Sequence, residues 1–217
     1  MTTILNPMTL QHSDLLKTEQ GVTFRDLNKN GKLDIYEDPR QPVDARVEDL
    51  LSQMTLEEKA GTMFIHGSEV NEDGSIEAKP DAAPQALVAS QQMTDHKMHH
   101  FNLWDIPGAA ATAAWSNNLQ RFAEHTRLGI PVTIASDPRN HFTHNVFAMA
   151  AQEFSQCCET PGFGALNDPA LVREFAEIAR REYLAVGIRV ALHPQIDLAT
   201  EPRWARISGT FGEDAHV

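Results

Sequence analysis

The sequence predicts an α/β fold built on a parallel sheet, and two observations carry that prediction. The first is a unit that occurs twice: a long helix, a Leu-Gly-Ile or Val-Gly-Ile stop, then a short apolar strand. In its first copy the helix runs from about Ala109 to Arg127, stops at Gly129 and leads into Ile130-Pro-Val-Thr-Ile-Ala135. In its second, Asp168 caps the helix and Pro169 takes its first turn, where a missing N–H costs nothing. That helix presents Val172, Phe175, Ala176, Ala179 and Tyr183 as one apolar face, stops at Gly187 and leads into Ile188-Arg-Val-Ala-Leu192. Glycine suits each stop because the left-handed conformation that ends a helix is free of Cβ strain there. Short apolar strands alternating with helices pair in parallel, with helices on the sheet. The second observation is that each strand runs straight into polar residues, Ser136-Asp137-Pro138-Arg139 after one and His193 through Arg206 after the other. Parallel α/β folds collect ligand sites at that carboxyl edge. Periodicity does not separate a closed barrel from an open sheet.

The remaining segments follow in order. Residues 1–25 read as a loose lead-in, part of an N-terminal segment 1–38 ahead of a main domain 39–217. Residues 39–64 read as two short helices: Val47, Leu50, Leu51 and Met54 share a face, and Thr55-Leu-Glu-Glu58 is a capping box that restarts the helix. Residues 66–105 are polar, with scattered Gly, Asp, Pro and Gln, and read as one long loop of the kind that tends to carry function.

A chain of 217 residues that is 41% hydrophobic can bury the core of one ordinary domain. A net charge of −12 and a pI near 5.2 argue against nucleic acid and anionic membranes as partners, since both require a basic face. Asp95-His-Lys-Met-His-His100 is too short to reverse that balance. No apolar run is long enough to span a bilayer. The N-terminus lacks a basic start, an apolar stretch and a small-residue cleavage site, so the chain reads as cytoplasmic, with periplasmic or secreted left open. Cys157 and Cys158 are adjacent, and neighbours rarely form a disulfide because the intervening peptide is strained. They read as two reduced thiols, with a vicinal redox pair as the alternative.

The chemistry-bearing residues cluster in four places. Asp137 can accept two hydrogen bonds from vicinal hydroxyls with Arg139 supporting it, or simply cap the turn before Pro138. Arg203 and Arg206 flank Trp204; an indole face and two guanidinium forks suit a sugar, or form a packing pair at a rim. Asp26-Leu-Asn28-Lys-Asn30-Gly31-Lys32-Leu-Asp34-Ile-Tyr-Glu37 fits the calcium-loop pattern at every position. Its ligands would be Asp26, Asn28, Asn30, the Lys32 carbonyl, Asp34 and bidentate Glu37, although Asp38-Pro39 stops any exiting helix. The alternative is a well-capped turn. His96, His99 and His100, and separately His141 and His144, could ligate a metal, but a hydrated histidine-rich loop is the simpler expectation because no carboxylate or cysteine accompanies them.

Four ordered segments then resemble glycoside hydrolase family 3, the β-glucosidase-like enzymes. They are Met54-Thr-Leu-Glu-Glu-Lys59, the stretch IPVTIASDPRNH around Asp137, EPRWAR around Arg203, and Gly209-Thr-Phe-Gly-Glu-Asp214, and the likeness covers about residues 22–217. The resemblance implies the N-terminal portion of a (β/α)8 TIM-like barrel, incomplete here because such a barrel needs about 250 residues. It implies that Asp137 and Arg203 bind hydroxyls of a terminal β-linked sugar, with Arg139, Arg206 and Trp204 around them. It also implies retaining hydrolysis of a β-glucoside or β-linked oligosaccharide with no cofactor required, calcium aside. The family's Lys-His motif, nucleophilic aspartate and acid/base glutamate are expected beyond Val217, so no catalytic residue is assigned within these residues. Ala205 replaces a glycine of the family signature, and Cys157-Cys158 stands where an aromatic-proline pair is expected. A non-catalytic sugar- or calcium-binding α/β module is the rival reading.

Overall fold

The structure, a computed structural model, describes residues 14–77, 88–144 and 150–216. Where a loose lead-in was expected, β1 (Leu16–Glu19) and β2 (Val22–Arg25) form an antiparallel hairpin. Gln20 and Gly21 turn between them with positive φ of 48° and 79°, as a tight two-residue hairpin turn requires. Two short helices follow as expected, α1 (Val43–Gln53) and α2 (Leu56–Gly61). The capping box between them is complete: Thr55 Oγ1 accepts from the Glu58 N–H at 3.2 Å, and a Glu58 carboxylate oxygen accepts from the Thr55 N–H at 2.9 Å. The apolar face of α1 is largely uncovered, with Val47 and Leu51 exposed and Met54 buried at its end.

The long loop expected over residues 66–105 is not one. It holds β3 (Ile65–Ser68), α3 (Ala89–His96) and β4 (His100–Leu103), with 78–87 outside the described residues. Polar residues hid these strands. In β4, Phe101 and Leu103 are fully buried while the alternate residues His100 and Asn102 are only partly so. That is the period-2 pattern of a sheet whose faces differ. The two helix–strand units then appear as α4 (Ala109–Glu124) with β5 (Thr133–Ser136), and α6 (Pro169–Val186) with β6 (Val190–Ala191). Between them lies a further helix, α5 (Thr160–Leu166), that the glycines at 162 and 164 concealed.

The four strands β3-β4-β5-β6 pair in parallel and in chain order. Phe101, Leu103, Ile134 and Ile188 pack with Met93 of α3, Trp115 and Leu119 of α4, and Tyr183 and Val186 of α6 in one apolar core. Each such side chain contributes about 1.5–3 kcal/mol by leaving water. Helix α4 packs between α3 and α6.

The N-terminal segment is fastened to the turn that feeds β5. Lys29 Nζ donates to the Glu124 carbonyl at 2.7 Å, Arg25 pairs with Glu124 at 3.0 Å, and the Tyr36 hydroxyl donates to the Leu128 carbonyl at 3.3 Å. A cation over the last carbonyls of α4 also complements the helix dipole. Arg127 forks onto Glu58 and holds its carboxyl below the usual range.

Two expected outcomes follow from this packing. Gly187 ends α6 at φ 93°, and a Cβ there would lie 2.0 Å from Ser116 Oγ. Gly187→Ala therefore loses about 1–3 kcal/mol in urea unfolding; an unchanged midpoint would mean the helix stop carries no strain. His99 is buried, and burial foremost pushes its pKa down to about 4. The unfolded chain takes up that proton near pH 6.5 and the folded chain only near 4, so stability falls as pH drops across this window. His99→Gln has a shallower slope of melting temperature against pH there; equal slopes would show that the imidazole titrates freely.

Candidate functional site at the carboxyl edge of the sheet

Asp137 leaves the end of β5 while still in register, its N–H donating to the Leu103 carbonyl at 3.1 Å. The chain then turns at Pro138, whose carbonyl accepts from Ser136 Oγ at 2.7 Å and from the Tyr183 hydroxyl at 2.9 Å. That hydroxyl also lies 2.9 Å from Nε2 of His193, the second residue past β6. Burial pushes the Tyr183 phenol up and the His193 imidazole down to about 4, the latter helped by the nearby Arg139 and His141. At neutral pH both are uncharged. One phenolic proton cannot serve both neighbours, so Tyr183 donates to Pro138 and the neutral imidazole donates its Nε2–H to Tyr183. The result is a clasp from β6 through α6 to the turn that carries Asp137.

Asp137 and Arg139 share a cavity of about 30 Å³ with His193, Gln195, Arg206 and Ser208. The loop behind it is folded back on itself. The Gln195 N–H donates to the Gly209 carbonyl at 3.1 Å, and the Ala199 N–H to the Gly212 carbonyl at 2.8 Å. With its amide oxygen turned to Arg206, Gln195 accepts from Nη2 at 2.5 Å and Nε at 3.2 Å. Two of the three predicted arginines thus reach the cavity, with different roles. Arg139 is buried, 3.1 Å from Glu159 just before α5, so it braces the loop. Arg206 is exposed at the rim. Arg203 does not join them: it faces solvent and grips Glu201 with Nε at 2.8 Å and Nη2 at 2.9 Å, holding that carboxyl at about 2. Trp204 is half-buried in the same turn.

Four residues of this edge were given no site role by the sequence reading. His193 and Tyr183 form the clasp, and Gln195 orients Arg206. Trp104, just past β4, is half-exposed and lies over Gly67, where an added Cβ would meet its ring at 2.1 Å. The available signal was positional: His193-Pro194 follows β6 much as Asp137-Pro138 follows β5.

The other candidates separate cleanly. His99 and His141 are buried, which corrects the expectation of hydrated histidines. His141 Nδ1 sits 2.5 Å from the Cys158 carbonyl, and its ring packs against Phe163 and Phe175. His96 closes α3, His100 opens β4, and His144 Nδ1 accepts from the Ala150 N–H at 3.3 Å. Among the described residues no group of three or more His, Cys, Asp or Glu side chains is placed to hold a metal. Cys157 and Cys158 are both free thiols, and burial raises the first. No described helix is long and apolar enough to cross a membrane.

The loop predicted to bind calcium is ordered by its own side chains. Asp26 Oδ2 accepts from the Gly31 N–H at 3.0 Å, Asn28 Oδ1 from the Asn30 N–H at 3.2 Å, and Asn30 Oδ1 from the Lys32 N–H at 2.8 Å. Both asparagine amides donate to Asp34 Oδ2 at 2.6 Å. Glu37 lies across the loop, Oε1 accepting from the Leu27 N–H at 2.6 Å and Oε2 from the Asp34 N–H at 3.2 Å.

Comparison with known proteins places this edge in context. The glycosyl hydrolase family 3 N terminal domain matches residues 55–217. Beta-glucosidase C of Emericella nidulans is 51% identical over 192 residues, which is 88% of this chain and 30% of that protein. The periplasmic beta-glucosidase/beta-xylosidase of Dickeya chrysanthemi is 48% identical over 202 residues, 92% of this chain and 30% of the relative. A crystal structure of a family 3 glycosyl hydrolase from Mycobacterium smegmatis superposes with a TM-score of 0.54 at 12% identity, covering 76% of this chain and 44% of that one. The chain spans about a third of the length of the curated relatives it matches. With the domain match extending over most of its residues, this chain belongs to glycoside hydrolase family 3.

Proposed function

We propose that the chain is the N-terminal part of a (β/α)8 barrel in an enzyme that removes terminal β-linked glucosyl or related residues with retention of configuration. The observation that carries this reading is Asp137, held at the carboxyl edge by a clasp of uncharged groups in a chain of this family. Strand order equal to chain order supports the barrel, since successive β/α units wind a barrel in that way.

In this reading Asp137 accepts hydrogen bonds from two sugar hydroxyls, and Trp104 offers its exposed indole to the apolar face of the ring. Arg203 exchanges Glu201 for a hydroxyl. An ion pair this exposed is screened by water, so releasing it costs little. The cavity of about 30 Å³ is far below the roughly 300 Å³ of ordinary ligand pockets, which supports further barrel loops completing the site. The nucleophile and the acid/base are assigned to the part of the relatives' length that this chain does not span. One carboxylate there forms the glycosyl-enzyme and the other acts first as acid and then as base.

In the full-length polypeptide, Asp137→Asn lowers kcat/KM on nitrophenyl β-glucoside by roughly tenfold to a hundredfold, the worth of a charge-assisted hydrogen bond. Arg203→Lys falls in the same range, because an ammonium cannot reproduce the planar fork. Tyr183→Phe produces a smaller loss, mainly in kcat, because it loosens the turn without removing a ligand. Near-full efficiency in both Asp137→Asn and Arg203→Lys would reduce these residues to rim packing.

A further inference from the structure

We propose that Gly67 is a positioning residue for the sugar site, its missing side chain letting the Trp104 indole lie across β3 as a floor on which the terminal ring stacks. This rests on the reading of Asp137 as a sugar ligand and adds a second wall to that site. The deciding observation is a close approach. An added Cβ at Gly67 would overlap Cε2 and Cζ2 of the indole and lie 2.6 Å from its Nε1. No side chain fits there unless the indole swings away. The backbone itself does not call for glycine: Gly67 is paired within β3, and it is not among the residues with positive φ. Glycine weakens a strand interior, and where it stands in one it often marks the close approach of another group. Here that group is Trp104.

Register ties this floor to Asp137. The Asp137 N–H reaches the Leu103 carbonyl as the Thr133 N–H reaches that of His99, so Asp137 stands beside Trp104, one step past the Leu103–Ser136 pair. Leu103 and Ser136 are fully buried, Leu103 in the core beneath the helices, and side chains alternate along a strand. Trp104 and Asp137 therefore leave the sheet on its other face. Gly67 belongs to that face too, through its partner Asn102, two residues before Trp104. Neighbouring strands lie about 4.8 Å apart, so a ring whose hydroxyls meet Asp137 beside β5 has its body over β4 and β3, where the indole lies. The indole is half-exposed, and His66 meets it edge-on, the ring centroids 6.4 Å apart and the planes at 68°. Trp104 thus offers a large, rigid apolar face. The C–H face of a pyranose leaves water against it. A side chain at position 67 would push the indole upright and turn that face away.

The test is a double-mutant cycle in the full-length polypeptide, reading kcat and KM on nitrophenyl β-glucoside and competitive inhibition by glucose, with melting temperatures to confirm folding. Trp104→Ala lowers kcat/KM and weakens glucose inhibition by roughly tenfold. Gly67→Ala does so by roughly threefold or more, mainly through KM, because the stacked face meets the sugar before and during reaction alike. In the Trp104→Ala background, Gly67→Ala changes either reading by less than about 1.5-fold, since the indole it displaces is already gone. Wild-type values for Gly67→Ala overturn the proposal, and so does a loss of equal size in the Trp104→Ala background, which would make the glycine a requirement of the strand. Should Gly67→Ala fail to fold, Trp104→Ala decides alone, and unweakened glucose inhibition there overturns the proposal. Asp137→Asn in the same assay separates the two readings: a loss there with none at Gly67 and Trp104 sinks this inference only, whereas near-full efficiency there sinks the sugar site and this inference with it.

Discussion

Because β3 to β6 pair in parallel and in chain order, every strand delivers its carboxyl end to one edge of the sheet, and the rest of the molecule is organised around that fact. Asp137 and His193 are neighbours only because β5 and β6 are, with the Leu192 N–H reaching the Ser136 carbonyl at 3.0 Å just past the paired residues. The helices α3, α4 and α6 share a single core against the sheet, so their sequence had to supply one apolar stripe each. Elsewhere Ile65 and Val190 on the strands and Leu192 just past β6 remain exposed. These residues fit the proposed barrel, in which the opposite face of the sheet is turned inward.

Two arginine–carboxylate pairs illustrate how burial separates structure from function at this edge. Arg139 and Glu159 are both largely removed from water, so losing either partner would strand a charge at a cost of about 3–5 kcal/mol. That pair braces the loop and is not free to meet a ligand. Arg203 and Glu201 face solvent, where the same contact is nearly worthless and easily exchanged. The Pro138 carbonyl works in between. Satisfied by two hydroxyls at once, it fixes the turn without placing any charge near Asp137.

What the sequence made legible was whatever depended on local rules. The caps at Thr55 and Asp168 and the glycine stop at 187 read directly, since each satisfies a backbone requirement within a few residues, whereas α4 ends at Glu124 on a right-handed His125, short of the expected stop at Gly129. The hairpin escaped because Gln20-Gly21 is a weak turn signal. Strands β3 and β4 escaped because only alternate positions are apolar and because His, Gly and Asn sit between them. Of the site, Asp137, Arg139 and Arg206 were legible from their place after strands and do converge, whereas Arg203 and Trp204 lie apart from the cavity. His193 and Tyr183 are joined by tertiary packing between α6 and the end of β6, which no local spacing encodes. The buried histidines were misjudged for the same reason: His99 and His141 are set by what packs over them.

The central claim is that a terminal sugar is held at the carboxyl edge by Asp137. The most direct measurement is a crystal structure of the full-length polypeptide with glucose bound. The account predicts both Asp137 carboxylate oxygens within about 2.5–3.0 Å of ring hydroxyls, with the Ser136–Pro138–Tyr183 clasp intact. Glucose bound at the opposite edge, beside Glu58, Lys97 and Arg127, or bound without touching Asp137, would contradict it.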